Sequence, residues 1–221
     1  MNKPQLQSTD TPAPVTRPMA EGKRRLIDAA LELINKGASL STIGIRELAR
    51  EANLNHNTFY RHFSNTDELA SEVAGELAAQ VMEGLKSVRA KATRHADATG
   101  ESIEYLLNYV EQHAAAFAAG LRELHGGPPN TRAIMRAVMD QIARESVEQI
   151  SSMELAPGLT EETLLSITSP VTYYLFYRCL DVIDAPARRG EVAAEMEQFV
   201  RQMFLGAYAL QEPAQQHLPG A

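Results

Sequence analysis

Apolar residues recur every three or four positions along most of this chain, which is the spacing of one face of an α-helix. The first such segment predicts a helix at residues 20–36, which Gly37 ends. Its apolar face consists of Leu26, Ile27, Ala30, Leu31 and Ile34. A second segment predicts a helix at about 42–52, whose apolar face consists of Ile45, Leu48 and Ala49. Both faces require an apolar partner.

The second helix ends at a short polar turn. Asn53 tolerates the left-handed conformation that ends a helix, and Asn55 is a good N-cap for a further helix at about 56–63. Phe59 and Phe63, four residues apart, form the buried face of that helix. Two short helices joined in this way form a helix-turn-helix arrangement.

The exposed side of this last helix carries groups suited to contacts with DNA. The first residues of the second helix in such a motif meet base edges in the major groove, which favours His56, Asn57 and Thr58 as readers of sequence. Tyr60 and Arg61, one turn later, suit contacts with phosphates. The alternative is an ordinary helical hairpin whose polar residues face water.

The next pattern predicts a long helix from about Thr66, its N-cap, to residue 91. Asp67 and Glu68 lie at the positive end of its dipole. This helix starts beside the predicted DNA-reading helix and extends into the body, so we interpret it as a lever between them. Gly75 and Gly84 weaken it locally, either to let it tilt or to allow close helix packing.

The remainder predicts further helices, separated by glycine and proline at residues 100, 126–129, 157–158 and 186. They begin at Glu101, at Ala114, at Asn130 as a cap and at Thr160 as a cap. The last helix is marked by Val192, Met196, Phe199, Met203 and Phe204. The last two helices are the predicted homodimer surface, forming a four-helix bundle across a two-fold axis.

The predicted fold is therefore all-α. A three-helix N-terminal domain containing the helix-turn-helix spans residues 20–65, and a helical ligand-binding and dimerisation domain spans 66–211. The polar, proline-rich residues 1–19 are expected to be a disordered tail and residues 212–221 a flexible one.

Residues 166–181 are the most unusual part of the body, because Pro170 interrupts a helical pattern and predicts a kink at Ser166. Aromatic and methionine side chains here and on neighbouring helices predict an apolar pocket with orienting hydroxyls. The candidate ligand-binding residues are Tyr105, Tyr109, Phe117, Met135, Met139, Tyr173, Tyr174, Tyr177 and Arg178. The alternative for each is core packing or the dimer seam, and Asp181 or Asp184 is an alternative partner for Arg178.

Charge divides the chain unevenly. The net charge of −7 combines nine Lys or Arg and six Asp or Glu in residues 1–64 with twelve and twenty-two in the rest. A basic head on an acidic body orients the head toward phosphates. Lys23, Arg24 and Arg25 lie at the start of the first helix, either near phosphates or as a solvated basic turn.

Other classes find little support. No apolar run reaches the roughly 18 residues of a membrane span, and no signal peptide precedes the first helix, so a cytoplasmic protein is expected. Cys179, the only cysteine, allows neither an internal disulfide nor a thiolate zinc cluster and is expected to be inert. Phosphate loops, nucleophile elbows and zinc-protease motifs are missing, so we predict no cofactor, no metal and no catalysis. An enzyme with an unrecognised site is the rival class.

Segments of the head resemble the DNA-binding signature of TetR-type transcriptional regulators. They are IRELA at 45–49, ANL at 52–54, TFYRHF at 58–63 and DEL at 67–69. The resemblance implies that Thr58, Tyr60 and His62 lie at or behind the DNA face. The complete predicted DNA-binding set is Lys23, Thr42, Arg46, Asn55, His56, Asn57, Thr58, Tyr60, Arg61, His62 and Thr66. The chain departs from the family pattern at Gly44, Asn53 and Thr66; the last removes a phosphate-binding lysine.

A narrower resemblance, in LRE at 121–123 and NTDEL at 65–69, is to family members that regulate unsaturated fatty-acid synthesis. It implies a long-chain acyl-CoA as effector, which either strengthens or weakens DNA binding. The sequence therefore predicts a homodimeric repressor of a double-stranded DNA operator, controlled by a small apolar effector. The alternative within the family is a regulator of efflux or detoxification that senses an aromatic compound.

Overall fold

The computed structural model of the protein describes residues 21–92 and 95–211, in which helices are joined by turns and loops and no strand occurs. The predicted all-α fold is confirmed, whereas the tails predicted at 1–19 and 212–221 lie outside the described residues. The helices are α1 Glu21–Asn35, α2 Ile45–Glu51, a 3₁₀ helix His56–Arg61 that we call the recognition helix, α3 Thr66–Lys91, α4 His95–Gln112, α5 Ala114–Gly126, α6 Pro129–Ser152, α7 Glu161–Asp184, a short 3₁₀ helix Pro186–Arg188, and α8 Arg189–Gln211.

The head is built as the apolar pattern predicts. Leu26 and Ile27 of α1, Leu48 of α2 and Phe59 of the recognition helix are fully buried, and Phe63 follows them into the same core. Burying large aromatic side chains is worth several kcal/mol in total, so these residues fix how the three short helices pack.

Two boundaries in the head differ from prediction. Helix α2 begins at Ile45 rather than at 42, because the backbone amides of Thr42 and Ile43 both donate to the carbonyl of Ser39 in a preceding turn. The recognition helix is a 3₁₀ helix ending at Arg61, not an α-helix to 63. At six residues it is short enough to keep i→i+3 bonds, such as that from Thr58 N to Asn55 O at 2.8 Å.

The start of α3 also differs from prediction. Asn65, not Thr66, is its N-cap: the Asn65 Oδ1 accepts a hydrogen bond from Glu68 N at 2.9 Å. The Glu68 carboxylate in turn accepts one from Ser64 N at 2.7 Å, and this bond lowers the pKa of Glu68 below its usual value. The predicted end of this helix at Lys91 is confirmed.

In the body, α3 packs on α4 and α6, and α7 packs on α6 and α8. Gly100 does not break the chain, since α4 passes through it, and α6 starts at Pro129 rather than at the predicted cap Asn130. Proline suits a first helical turn because its missing N–H is not needed there. The predicted cap at Thr160 is confirmed, and α7 runs through Pro170 from Glu161 to Asp184.

The head and the body share one hydrophobic core. A single cluster of buried residues joins α1, α2 and the recognition helix to the start of α3 and to α5 and α6, where it includes Leu121, Leu124 and Met135. Such a continuous core makes a displacement in the body costly unless the head adjusts. No helix of the described chain is long and apolar enough to cross a membrane.

Candidate nucleic-acid interface and effector cavity

The turn between α2 and the recognition helix is fixed at two points. Asn53 has a φ of 52°, the left-handed conformation expected for it, and Leu54 N donates to Ala49 O at 2.8 Å. The Arg25 guanidinium on α1 donates to the carbonyls of Ala52 and Asn53 at 2.6 and 2.9 Å. Arg25 is therefore neither a solvated cation nor free for a phosphate: it holds the turn.

The recognition helix presents a polar face to solvent. The predicted cap is confirmed, because Asn55 Oδ1 accepts a hydrogen bond from Asn57 N at 2.9 Å. His56 and Asn57 are exposed, and Thr58 is half-buried. Tyr60 is 59% exposed although its ring meets buried Phe59 edge-on at 5.4 Å between centroids. The helix thus offers its first turn and one aromatic hydroxyl to a partner.

The positive charges of the head fall into two groups. Lys23, predicted to contact DNA, pairs with Glu72 of α3 at 2.8 Å and lies 5.5 Å from the Phe63 ring centroid, because α1 crosses the start of α3 there. Arg24 likewise pairs with Glu76 and Asp28. Among the described residues, exposed Arg46, Arg50 and Arg61 make no ion pair. Arg50 was not among the predicted residues.

The other predicted residues lie around this face. Thr42 is exposed and donates to Ser39 O at 3.2 Å. His62 is half-buried and its imidazole lies against α1, where a Cβ on Gly22 would be 2.7 Å from Nε2, so a larger residue at 22 would displace the ring. Thr66 is half-buried in the first turn of α3.

An apolar cavity of about 100 Å³ lies between head and body. Four predicted ligand-binding residues line it: Tyr109, Phe117, Met135 and Met139. Ile34 and Leu40 of the head complete the wall beside α1. Because the wall combines residues of both parts, a molecule in this cavity contacts the head directly.

The other five predicted ligand-binding residues line neither this cavity nor the larger one described below. Tyr105 donates to Gln80 O at 3.2 Å, and Tyr173 packs against the core joining head and body. Tyr174 stacks on Phe199 of α8 at 3.9 Å between centroids, and Tyr177 is 60% exposed. Tyr173 therefore packs toward the core, Tyr174 toward α8 and Tyr177 toward solvent, so the three side chains do not converge on one pocket.

Two residues of α7 that could contact a ligand chemically are occupied or shielded. Arg178 pairs with Asp181 at 3.0 Å and with Glu195, so its charge is neutralised within the chain, as the alternative interpretation held. Cys179 is fully buried, and burial raises the pKa of its thiol to about 12, so the reactive thiolate is scarce at neutral pH. Neither residue is available to an effector in this conformation.

A buried carboxylate connects α5 to the head. Glu123, 5% exposed, accepts hydrogen bonds from the hydroxyls of Ser39 and Ser41 in the segment between α1 and α2, the second at 2.8 Å. Sequence reasoning missed this contact. The partners are more than 80 residues apart, and periodicity places a residue on a helix face without identifying what covers it.

Comparison with known proteins agrees with this arrangement. Residues 26–73 match the model of the family described as bacterial regulatory proteins, tetR family. An uncharacterized HTH-type transcriptional regulator of Haemophilus influenzae is 28% identical over 129 residues. The match covers 58% of this chain and 63% of that protein, so it spans less than two thirds of the relative's length.

Solved structures share the fold of nearly the whole chain. The fatty acid degradation regulator FadR from Bacillus halodurans superposes with a TM-score of 0.66 at 12% identity, over 86% of this chain and 98% of that one. RolR in complex with resorcinol gives a TM-score of 0.56 at 18% identity, over 89% and 96%. At these identities the likeness is one of architecture. Residues 26–73 therefore match the N-terminal DNA-binding domain of tetR-family regulators, and the all-helical body shares its architecture with these solved structures.

Proposed function

We propose that the protein is a sequence-specific, homodimeric transcriptional repressor whose affinity for its operator changes when a small molecule binds the body. The observation that carries the proposal is the exposed face of the recognition helix, within a segment that matches the tetR family model. His56, Asn57 and Thr58 face the bases in this proposal, while Tyr60, Arg61, Arg46 and Arg50 face the phosphates.

The test is a gel-shift titration against the DNA upstream of the protein's own gene, with random-sequence DNA as competitor. Asn57→Ala is expected to weaken the free energy of binding to the operator by about 1–3 kcal/mol and to relax sequence specificity. Arg61→Met is expected to weaken binding to all sequences alike and to lower the salt slope by about one. Arg144→Met, on an exposed face of α6, is the control and should bind as the parent does.

Equal binding by the parent, Asn57→Ala and Tyr60→Phe would refute the assignment of the recognition helix. Loss of binding in the Arg144→Met control would instead indicate that the variants act through folding. Circular dichroism and thermal unfolding of each variant separate these outcomes.

The proposed dimer uses α7 and α8. Of the five large apolar side chains exposed in the described chain, Tyr60 lies on the recognition helix and the others on these two helices: Leu165, Tyr177, Leu205 and Leu210. Apolar side chains left in water on adjacent helices favour an interface. Tyr177→Glu is therefore expected to shift the protein toward monomer in analytical ultracentrifugation, whereas Arg144→Glu leaves its mass unchanged. Unaltered mass for Tyr177→Glu would argue against this surface.

The effector remains to be chosen between two classes. The fatty-acid role in the name of FadR and the narrower sequence resemblance favour a long-chain acyl-CoA. The resorcinol complex of RolR favours an aromatic compound. The cavity of about 100 Å³ is smaller than the roughly 150 Å³ that holds benzene, so an acyl chain requires the helices around it to move apart. Thermal-shift measurements with palmitoyl-CoA and resorcinol test the choice. If neither compound stabilises the protein, both effector classes are contradicted.

A further inference from the structure

A second cavity, of about 340 Å³, lies in the body between α3, α4, α6, α7 and α8. It adjoins the first, since Ile142 and Phe176 line both. Its volume falls in the range of about 300–1,000 Å³ that small-molecule sites occupy. Most of its wall is apolar, from residues such as Ile103, Leu106 and Val171. The few polar groups in that wall therefore select what the cavity binds.

The main polar group is Arg89, near the end of α3. Its Nε donates to the Ser102 hydroxyl at 3.3 Å, and its Nη1 donates to Gln149 Oε1 at 2.7 Å. Both acceptors are neutral, and no carboxylate whose position is described pairs with this guanidinium. Burial accordingly lowers the pKa of Arg89 to about 10. Among the described residues this half-buried cation has no counter-charge, and such a desolvated charge is costly, which makes it a receptor for an anion.

The position of Arg89 is held from outside the cavity. The Gln149 amide nitrogen donates to Met82 O at 3.1 Å, so its oxygen faces Arg89. A guanidinium held in this way is preorganised and loses little freedom when it binds a planar carboxylate.

Thr168 of α7 supplies a second polar group without a partner. It is 4% exposed, lines the cavity, and its Oγ1 has no hydrogen-bond partner in the described chain. Its neighbour Thr172 is satisfied, donating to Thr168 O at 2.8 Å. An orphaned buried hydroxyl is unfavourable, and an oxygen of a ligand that accepts from it would supply the missing hydrogen bond.

Two further charges line the cavity. Exposed Arg201 adds a second cation, while Glu197 packs against α4, where a Cβ on Gly100 would lie 3.2 Å from its Oε1. Glu197 disfavours a ligand with several negative charges, because the extra charges would meet it in a medium of low dielectric constant.

We propose that this cavity binds an apolar monocarboxylate, with the carboxylate on Arg89 and its hydrocarbon part along the wall toward Ile142 and Phe176. Thr168 donates to the same ligand. The combination requires both ends of the molecule: the guanidinium disfavours an alcohol or an amine, and the apolar wall disfavours a small inorganic anion. Binding stands independently of DNA recognition, and only its regulatory meaning rests on the proposed function.

Isothermal titration of the full chain with eight-carbon probes tests the chemistry. Octanoate is expected to bind at least tenfold more tightly than 1-octanol, and neither octylamine nor inorganic phosphate should bind measurably. Equal affinities for octanoate and 1-octanol would overturn the assignment of Arg89. Tighter binding of octanoyl-CoA than of octanoate would overturn the monocarboxylate, since the thioester lacks the carboxylate and carries several phosphate charges.

Two variants locate the site. Arg89→Met keeps an unbranched apolar side chain but removes the guanidinium, and it is expected to weaken octanoate binding about tenfold to a hundredfold, the loss for hydrogen bonds to a charged group. Thr168→Val removes the unpartnered hydroxyl without changing the shape, so it should fold at least as well as the parent and bind octanoate several-fold more weakly. Unchanged affinity in Thr168→Val refutes the second contact even if Arg89→Met fails to fold.

Arg144→Met is the matched control: Arg144 is exposed on α6 and lies outside the cavity, so this variant should bind octanoate as the parent does. A gel shift in the absence of ligand separates the two proposals. A protein that binds octanoate but no operator contradicts the proposed function alone, and one that binds its operator but not octanoate contradicts this inference alone.

Discussion

Gly84 is where the side chain of Tyr105 on α4 lies against the backbone of α3. A Cβ on Gly84 would lie 1.9 Å from the Oη and Cζ of Tyr105 on α4, whereas one on Gly75, nine residues earlier in α3, would meet nothing within 4 Å. Of the two roles predicted for these glycines, Gly84 therefore serves close packing. The Tyr105 hydroxyl uses this proximity to reach Gln80 O.

This difference predicts that a Gly→Ala substitution changes stability differently at positions 75 and 84. Gly75→Ala should stabilise the protein by about 0.5–1 kcal/mol, the difference in helix propensity. Gly84→Ala should stabilise the protein less than this or destabilise it, because the Tyr105 ring must move away from Gln80. In a Tyr105→Ala background, Gly84→Ala should recover the full gain. Urea unfolding of the four variants gives the coupling, and additive effects would show that the tyrosine does not depend on the glycine.

For single residues, the sequence predicted local backbone conformation and capping better than it predicted which distant residue a side chain contacts. Asn53 and Asn55 adopt the conformations predicted for them, because the preference for left-handed backbone or for capping resides in the residue itself. Lys23 instead pairs with Glu72, 49 residues away, and Arg25 donates to carbonyls of the turn at 52–53, 27–28 residues away. Local pattern contains no information on such pairs.

At the scale of the elements, substitutions at the start of α3 test which residue caps this helix, which adjoins the proposed DNA-binding face. Asn65→Ala removes the acceptor for Glu68 N and should cost about 1 kcal/mol in unfolding free energy. Thr66→Ala, the position that sequence favoured, should change it little, since its neighbour already provides the cap. Thermal or urea unfolding compares them. A larger loss for Thr66→Ala than for Asn65→Ala would contradict the observed cap.

The same cap predicts a dependence on pH. The pKa of Glu68 is lower in the folded protein, so its contribution to stability is complete above the unfolded pKa and is lost as pH falls through the folded one. Glu68→Gln should thus melt below the parent at pH 7, and the difference should close in acid. A difference that persists at pH 2–3 would mean that the charge of Glu68 is not its source.

The type and extent of a helix were predictable where buried residues repeat along one face. They were not predictable where local turn hydrogen bonds compete with the helical ones. The long helices α3, α7 and α8 follow their apolar periodicity, and even Gly100 and Pro170 do not interrupt α4 and α7. The recognition helix is 3₁₀ because it is short, and α2 starts late because a turn at Ser39 takes the amides before it. Packing on neighbouring helices outweighs the cost of one unfavourable residue, whereas six residues offer too little packing to do so.

For the whole molecule, the contact between Glu123 and the segment before α2 makes head and body one unit. The shared core predicts a single cooperative unfolding transition, and Glu123 adds a polar tie that no periodicity reveals. α5, which carries Glu123, also forms part of the wall of the smaller cavity through Phe117 and Leu121. A ligand that displaces α5 therefore pulls on the segment that leads into α2, in parallel with any movement of α3.

Glu123→Gln tests this connection while preserving shape. The serine hydroxyls then donate to a neutral amide oxygen, and the unfolding free energy should fall by about 1–2 kcal/mol because hydrogen bonds to a charged group are the stronger ones. Hydrogen exchange of the backbone amides at 38–43 should accelerate more than exchange in α7, since the opening is local. Arg122→Gln, exposed on the same helix, is the control and should change neither measurement. Equal acceleration in both variants would mean that α5 as a whole, rather than the carboxylate, holds the head in place.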